Sequence, residues 1–290
     1  MQFSTTFCSL LMVLAVTNRG RPDETAAVKD LKALGGKIVF DPFVEVDLAK
    51  SPASDQSIRL LRELPQIRLL DLSKTKITDV GIDEIVKLRH LRSLDLQSTN
   101  LTDVGLAKLR LMPSLRSLVL FDTKLKNSGV QAISSLTELE RLDIAFTQVT
   151  DEAMGDVAKL KNLRFLNLFG LPITDAGMKK LIGLNRLREL QLGNTQITGA
   201  SISELKKLKE LEVLDLSDTS IRDMDVKVLA QIKGLRKLTL DFTRITDVGL
   251  REIALMSELR DLEIYATKAT SQGLSRLQVS LPNCKIKSDP

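Results

Sequence analysis

Two sets of side chains in this 290-residue chain recur at multiples of 24 residues and could carry chemistry. Carboxylates stand at Asp47, Asp71, Asp95, Asp143, Asp215 and Glu263, and guanidiniums at Arg68, Arg92, Arg116, Arg164, Arg188, Arg236 and Arg260. Side by side, such rows make either a charged groove that orients a polar partner or a lattice that neutralises itself. The consecutive trio Asp47, Asp71 and Asp95 could also gather on a Ca²⁺ ion, since hard cations take several carboxylate oxygens. A third set is aromatic: Phe121, Phe146, Phe165, Phe169, Phe242 and Tyr265. Covalent or metal catalysis has little to draw on. One histidine (His90) and two cysteines (Cys8 and Cys284) are too few for a His/Cys metal cage, a Cys/His dyad or a disulfide-stapled fold. Neither a glycine-rich phosphate loop nor a GxSxG elbow is present. No enzyme, no cofactor and no resident metal is expected.

The elements that position these rows follow from one repeat. Starting at Leu64, the pattern restarts every 24 residues at Leu88, Met112, Leu136, Leu160, Leu184, Leu208, Ile232 and Met256, ending at Val279. The segment from Phe40 to Glu63 keeps it more loosely, so ten units cover residues 40–279. Numbering each unit from its first residue, positions 4, 7 and 9 are apolar (Leu91, Leu94, Leu96), a short strand buried on one face. Positions 19 and 22 (Leu106, Leu109), with Met112 of the next unit, are spaced as one helical face. Position 16 holds Asp, Asn, Gly or Ser in all ten units and reads as the helix N-cap. Two residues later, Gly81, Gly105, Gly129, Gly177, Gly249 and Gly273 suggest helix starts packed close to the neighbouring unit. A strand and a short helix cannot bury their own apolar faces, so the units must stack into a parallel sheet with helices outside. The inner wall would be on the order of 45 Å long.

Leu91 to Leu109, LRSLDLQSTNLTDVGLAKL, resembles a leucine-rich repeat, LxxLxLxxNxL, with Thr in the place of the usual Asn. The tail ITDxGLxxL is similar to the repeats of F-box leucine-rich repeat proteins and of bacterial proteins of the planctomycete kind, and the short period favours the bacterial comparison. The resemblance implies an α/β fold: a right-handed horseshoe with a parallel concave sheet and short convex helices. It also implies that LPNCKIK, Leu281 to Lys287, closes the array as a partial repeat within a C-terminal cap at 280–290. The family's Asn bonds neighbouring backbone in a ladder. Thr75, Thr99, Thr123, Thr147, Thr195, Thr219, Thr243 and Thr267, all at position 12, would do a shorter version of this, broken at Leu171-Pro172.

At the other end, Asp23 to Leu34 reads as a cap helix stopped by Gly35-Gly36, and Lys37 to Phe40 as a strand feeding the first unit, which makes 23–39 an N-terminal cap. Residues 1–22 are a signal peptide or a disordered start. The run from Phe7 to Val16 suits a signal core, yet no Lys or Arg precedes it. The location is secreted or periplasmic if residues 1–17 act as a signal, and cytoplasmic otherwise. That run is too short to span a bilayer, so no integral membrane segment is expected. The cysteines at opposite ends should remain free thiols.

Aromatics make up only 3% of the chain, and every ring in the nine regular units from Leu64 onward falls at positions 6, 10 or 11, beside the strand on its concave side. Interfaces concentrate rings at their buried centres. Phe121, Phe146, Phe165 and Phe169, with Val119 and Asp143, form the candidate centre of a partner site, and Phe242 and Tyr265 extend it. At position 11, Phe146 and Phe242 could instead tuck under a loop. The expected function is a monomeric, non-catalytic scaffold that binds a protein or peptide on its concave face. A ubiquitin-ligase substrate receptor of the F-box type is an alternative, although the segment before the array is short for an adaptor-binding motif. A cell-envelope structural or glycan-binding protein is another. A net charge of +5, spread without runs, does not read as a nucleic-acid footprint.

Overall fold

The computed structural model describes residues 25–289 except 42 and 65. The apolar run at 7–16 and Cys8 lie outside the described residues. Twelve strands form one open sheet in sequence order. They are β1 (Lys37–Val39), β2 (Val44–Asp47), β3 (Ile67–Asp71), β4 (Ser93–Asp95), β5 (Ser117–Val119), β6 (Arg141–Asp143), β7 (Phe165–Asn167), β8 (Glu189–Gln191), β9 (Val213–Asp215), β10 (Lys237–Thr239), β11 (Asp261–Glu263) and β12 (Lys285–Lys287). Neighbours pair in parallel with a 24-residue register through most of the array, as in Leu94↔Leu118↔Leu142. The exception is the first edge, where β1 runs antiparallel to β2 and pairs Ile38 with Val46. A strand feeding the array was expected there, and a hairpin is what folds. Ahead of it, the cap helix spans Ala26–Ala33, with Thr25 as its N-cap and Val28 and Leu31 buried.

The core is a stack of aliphatic layers. Leu91, Leu94, Leu96, Leu106 and Leu109 are fully buried, as are their counterparts in the middle units. Each such side chain contributes about 1.5–3 kcal/mol over an exposed one. Stacked layers leave little room for large rings, which accounts for the shortage of aromatics.

The helix starts differ from the sequence expectation in one respect. The N-cap is the residue at position 15, not position 16: Thr78, Thr102, Thr150, Thr174, Thr198 and Thr246 each accept a backbone N–H with the side-chain hydroxyl. Position 16 is the first helical residue, and its carboxylate turns to the next unit. Asp79 accepts the Thr102 N–H at 2.9 Å and the Thr102 hydroxyl at 2.6 Å. Asp55–Thr78, Asp151–Thr174, Asp175–Thr198, Asp223–Thr246 and Asp247–Thr270 repeat the pair, and Asn127 accepts the Thr150 N–H. At every junction but Gly199–Arg222, position 16 thereby ties down the residue that starts its successor's helix. The glycines at position 18 make this approach possible, since a Cβ on Gly105 would lie 2.3 Å from Asp79 Oδ1.

Position 12 also departs from expectation. Thr75, Thr99 and Thr243 donate their hydroxyls to the carbonyls of Leu72, Leu96 and Leu240, three residues back in the same unit. The bond closes a turn and does not link neighbours, because a Thr hydroxyl is too short to cross to the next strand. One residue earlier, position 11 adopts a left-handed backbone in all ten units, from Lys50 (φ 59°) to Ala266 (φ 50°), with glycine there only once, at Gly170.

Candidate functional site

The turn after each strand aims positions 10 and 11 along the rim of the concave face. On three consecutive units this rim carries Phe121, Phe146 and Phe169, and the rings touch. Phe121 and Phe146 meet edge-on with centroids 5.2 Å apart, and Phe146 and Phe169 lie tilted at 5.4 Å. Each step has space made for it by glycine: a Cβ on Gly170 would approach the Phe146 ring to 3.0 Å, and one on Gly193 the Phe169 ring to 2.5 Å. Phe146 keeps 46% of its surface in solvent and holds a left-handed backbone (φ 54°). A bulky side chain pays about 1–2 kcal/mol for that conformation, part of which the two ring contacts offset. Phe242 is left-handed too, and is 65% exposed. Neither ring tucks under a loop. Tyr265, 37% exposed, sits one unit beyond Phe242 and accepts its N–H at 2.9 Å.

The remaining sequence candidates are placed differently. Val119 and Asp143, in the middle row of the sheet, are only 6% and 8% exposed, and Asp143 is held by the Ala145 N–H and the Asn167 amide. Phe165 lies down in the sheet, with the Arg141 guanidinium 3.4 Å from its ring centroid. Arg141, at position 6, escaped the sequence reading because no other unit has Arg there. Its register partner is Phe165 itself, and its Nε has no hydrogen-bond partner.

The acidic and basic rows do not neutralise each other as a lattice would. The Arg row turns elsewhere: Arg116 and Arg164 share Glu140 at 3.7 Å, Arg188 reaches Glu210 and Glu212, and Arg92 donates to the Ser114 carbonyl. The acids instead accept from backbone two residues on. Asp71, Asp95, Asp143 and Asp215 take the N–H groups of Ser73, Gln97, Ala145 and Ser217, and Asn167 takes that of Phe169. Only the C-terminal end is balanced, where Lys287 and Lys237 bond Glu263 at 2.6 and 3.2 Å. Burial pushes the Asp95 carboxyl up to about 7, with the charges of Asp71 and Asp143 adding to it, against the Gln97 N–H and Arg141. Burial likewise raises Asp143, Glu189 and Asp215. Among the described residues no three acids gather to hold a cation, which removes the Asp47–Asp71–Asp95 trio as a Ca²⁺ site.

Other expected features are ordinary. His90 is exposed, and Cys284 is a buried free thiol. Among the described residues no helix is long and apolar enough to cross a membrane.

Comparison with known proteins adds a family to this geometry. Residues 185–245 match the leucine-rich repeat family, residues 85–156 a family described as Zer-1-like leucine-rich repeats, and residues 66–86 a further leucine-rich repeat family. No curated protein matches the sequence. Among solved structures, the chain is similar to an internalin, inlF, of Listeria monocytogenes, at 26% identity and TM-score 0.62 over 80% of this chain and 70% of that one. A second Listeria internalin, C2, is 28% identical with TM-score 0.56, covering 73% and 84%. A leucine-rich repeat protein of Leptospira interrogans is 25% identical with TM-score 0.57, covering 79% of this chain and 62% of that one. With 467 solved chains matching, the fold is too widely shared to name a partner.

Proposed function

We propose, the chain being a leucine-rich repeat protein, that it is a non-catalytic scaffold holding a protein or peptide against its concave face. The contact centres on the staircase of Phe121, Phe146 and Phe169. One observation carries this reading: Phe146 leaves nearly half its surface in water and occupies a backbone conformation that costs a bulky residue energy. Folding alone does not reward that choice, since the equivalent residue is Asn194, Gly170 or Ser98 in other units. An exposed patch of touching rings is the usual core of a protein interface, with polar rim residues around it. The chain's single histidine, His90, is exposed and lies off this face, and the reading assigns the face binding and no reaction. The protein acts as a monomer and binds through this one face.

The test is affinity capture from extracts and culture medium of the source cells. The wild-type chain is compared with a Phe121→Ala, Phe169→Ala double variant whose folding is verified by circular dichroism. Partners retained by the wild type should be lost from the variant. Retention of the same proteins in the same amounts would sink the proposal.

A further inference from the structure

We infer that the partner presents Lys or Arg side chains next to an apolar anchor, the basic groups meeting the half-buried Asp95 and the exposed Asp122 while the anchor meets the ring staircase. The inference rests on the binding role proposed above and adds the partner's charge to it.

Charge complementarity beside the rings selects such a partner. Asp143 stands three residues before Phe146 and on the strand that pairs with Phe165 and Asn167. Asp122, next to Phe121, adds another carboxylate and is held by the Ser98 hydroxyl at 2.8 Å. The cations of the Arg row beside this region turn away from it: Arg116 and Arg164 to Glu140, Arg188 to Glu210 and Glu212, and Arg92 to the Ser114 carbonyl. Around Asp95 the facing groups are Asp71 of β3, the uncharged Val119 of β5, and Asp143 and Arg141 of β6. Around Asp143 they are Arg141 and the Asn167 amide, which donates at 3.0 Å. Arg141 is therefore the one nearby cation. Its guanidinium sits with the central carbon over the Phe165 ring and makes no ion pair with either acid within 4 Å among the described residues. It also displays how this face receives a guanidinium, by ring stacking with carboxylates alongside. A basic side chain from outside completes a balance the chain itself leaves open, and an acidic one would meet several carboxylates at once.

A phage-displayed library of random dodecapeptides, selected on the immobilised full chain, tests this. Asp95→Asn with Asp122→Asn is the charge variant, and Asn suits the left-handed backbone of Asp122 as Asn194 does in its own unit. Asn167 already accepts the Phe169 N–H in the same turn, so Asn keeps the local fold. The ring variant is Phe121→Ala with Phe169→Ala. Retained peptides should be enriched several-fold in Lys and Arg over Asp and Glu and should combine them with aromatic or aliphatic residues. On the charge variant the basic bias should vanish while the apolar bias stays. Peptides that need the rings but show no basic bias would overturn the inference and leave the binding role standing. Selection of nothing above background, or of peptides indifferent to the ring variant, would overturn both.

Discussion

At one junction two residues exchange roles, and the exchange can be reversed. Unit by unit, a carboxylate at position 16 caps the next unit's position 15, and a small residue at position 18 of that next unit makes room. Between Gly199 and Arg222 the carboxylate comes instead from position 18: Asp225 Oδ2 accepts the Arg222 N–H at 2.9 Å. Its carboxylate fills the space an Asp at 199 would need, since a Cβ on Gly199 would lie 1.8 Å from Asp225 Oδ1. Asp225→Gly should cost about 2–3 kcal/mol: about 1–2 for the unpaired N–H and about 1 for glycine in a helical turn. Gly199→Asp should cost a similar amount, because it expels Asp225 from a tightly filled site and sets two carboxylates together (overpacking alone is worth about 1–3 kcal/mol). The double variant restores the arrangement found at Asp79–Thr102 and Asp223–Thr246. It should fall within about 1 kcal/mol of wild type, a coupling of at least about 3 kcal/mol where independent sites would give none. Urea denaturation of the four proteins, followed by circular dichroism, measures this. Additive losses in the double variant, or a neutral Gly199→Asp, would refute the inter-unit carboxylate as the device that joins helix starts.

Three further outcomes are expected. Because the Asp95 carboxyl is raised from 3.8 to about 7 in the folded chain, the folded state holds the extra proton between those values and stability falls as pH rises through them. Asp95→Asn should therefore stabilise by about 1–2 kcal/mol at about pH 8, solvent screening having reduced the full shift, and give no gain near pH 4; equal midpoints at both ends would refute this. Phe242→Asn should raise stability by about 0.5–1 kcal/mol, since Asn tolerates the left-handed backbone as Asn194 does at φ 52°; a loss would mean that the exposed ring packs more than its surface suggests. Gly105→Ala should destabilise by about 2–3 kcal/mol through the Asp79 contact, whereas Gly155→Ala, with nothing within 4 Å of the new Cβ, should stabilise by up to about 1 kcal/mol. Thermal melts of both glycine variants would expose any error, because the reasoning demands opposite signs.

What the sequence determined by itself was whatever depends on period and residue type. The 24-residue spacing dictated stacked strand–helix units. The LxxLxL leucines dictated which side is core, and the placement of six rings at positions 6, 10 and 11 confined them to the concave side. The close glycines were legible too, because a recurrent missing Cβ implies an approach. Contacts between units were not legible, since they depend on distances across the stack and not along the chain. Position 16 looked like a cap because Asp suits caps, yet its carboxylate reaches the following unit, 23 residues on. The Arg and Asp rows looked complementary in sequence, but the arginines pair along their own row while the acids turn onto backbone N–H groups. Packing across the stack decided that Val119 and Asp143 are buried while Phe146 and Phe242, on left-handed turns, stand in solvent. The low aromatic count follows from the packing of aliphatic layers. Stacking geometry set three of the remaining rings within contact of each other, beside carboxylates that make no ion pair within 4 Å among the described residues.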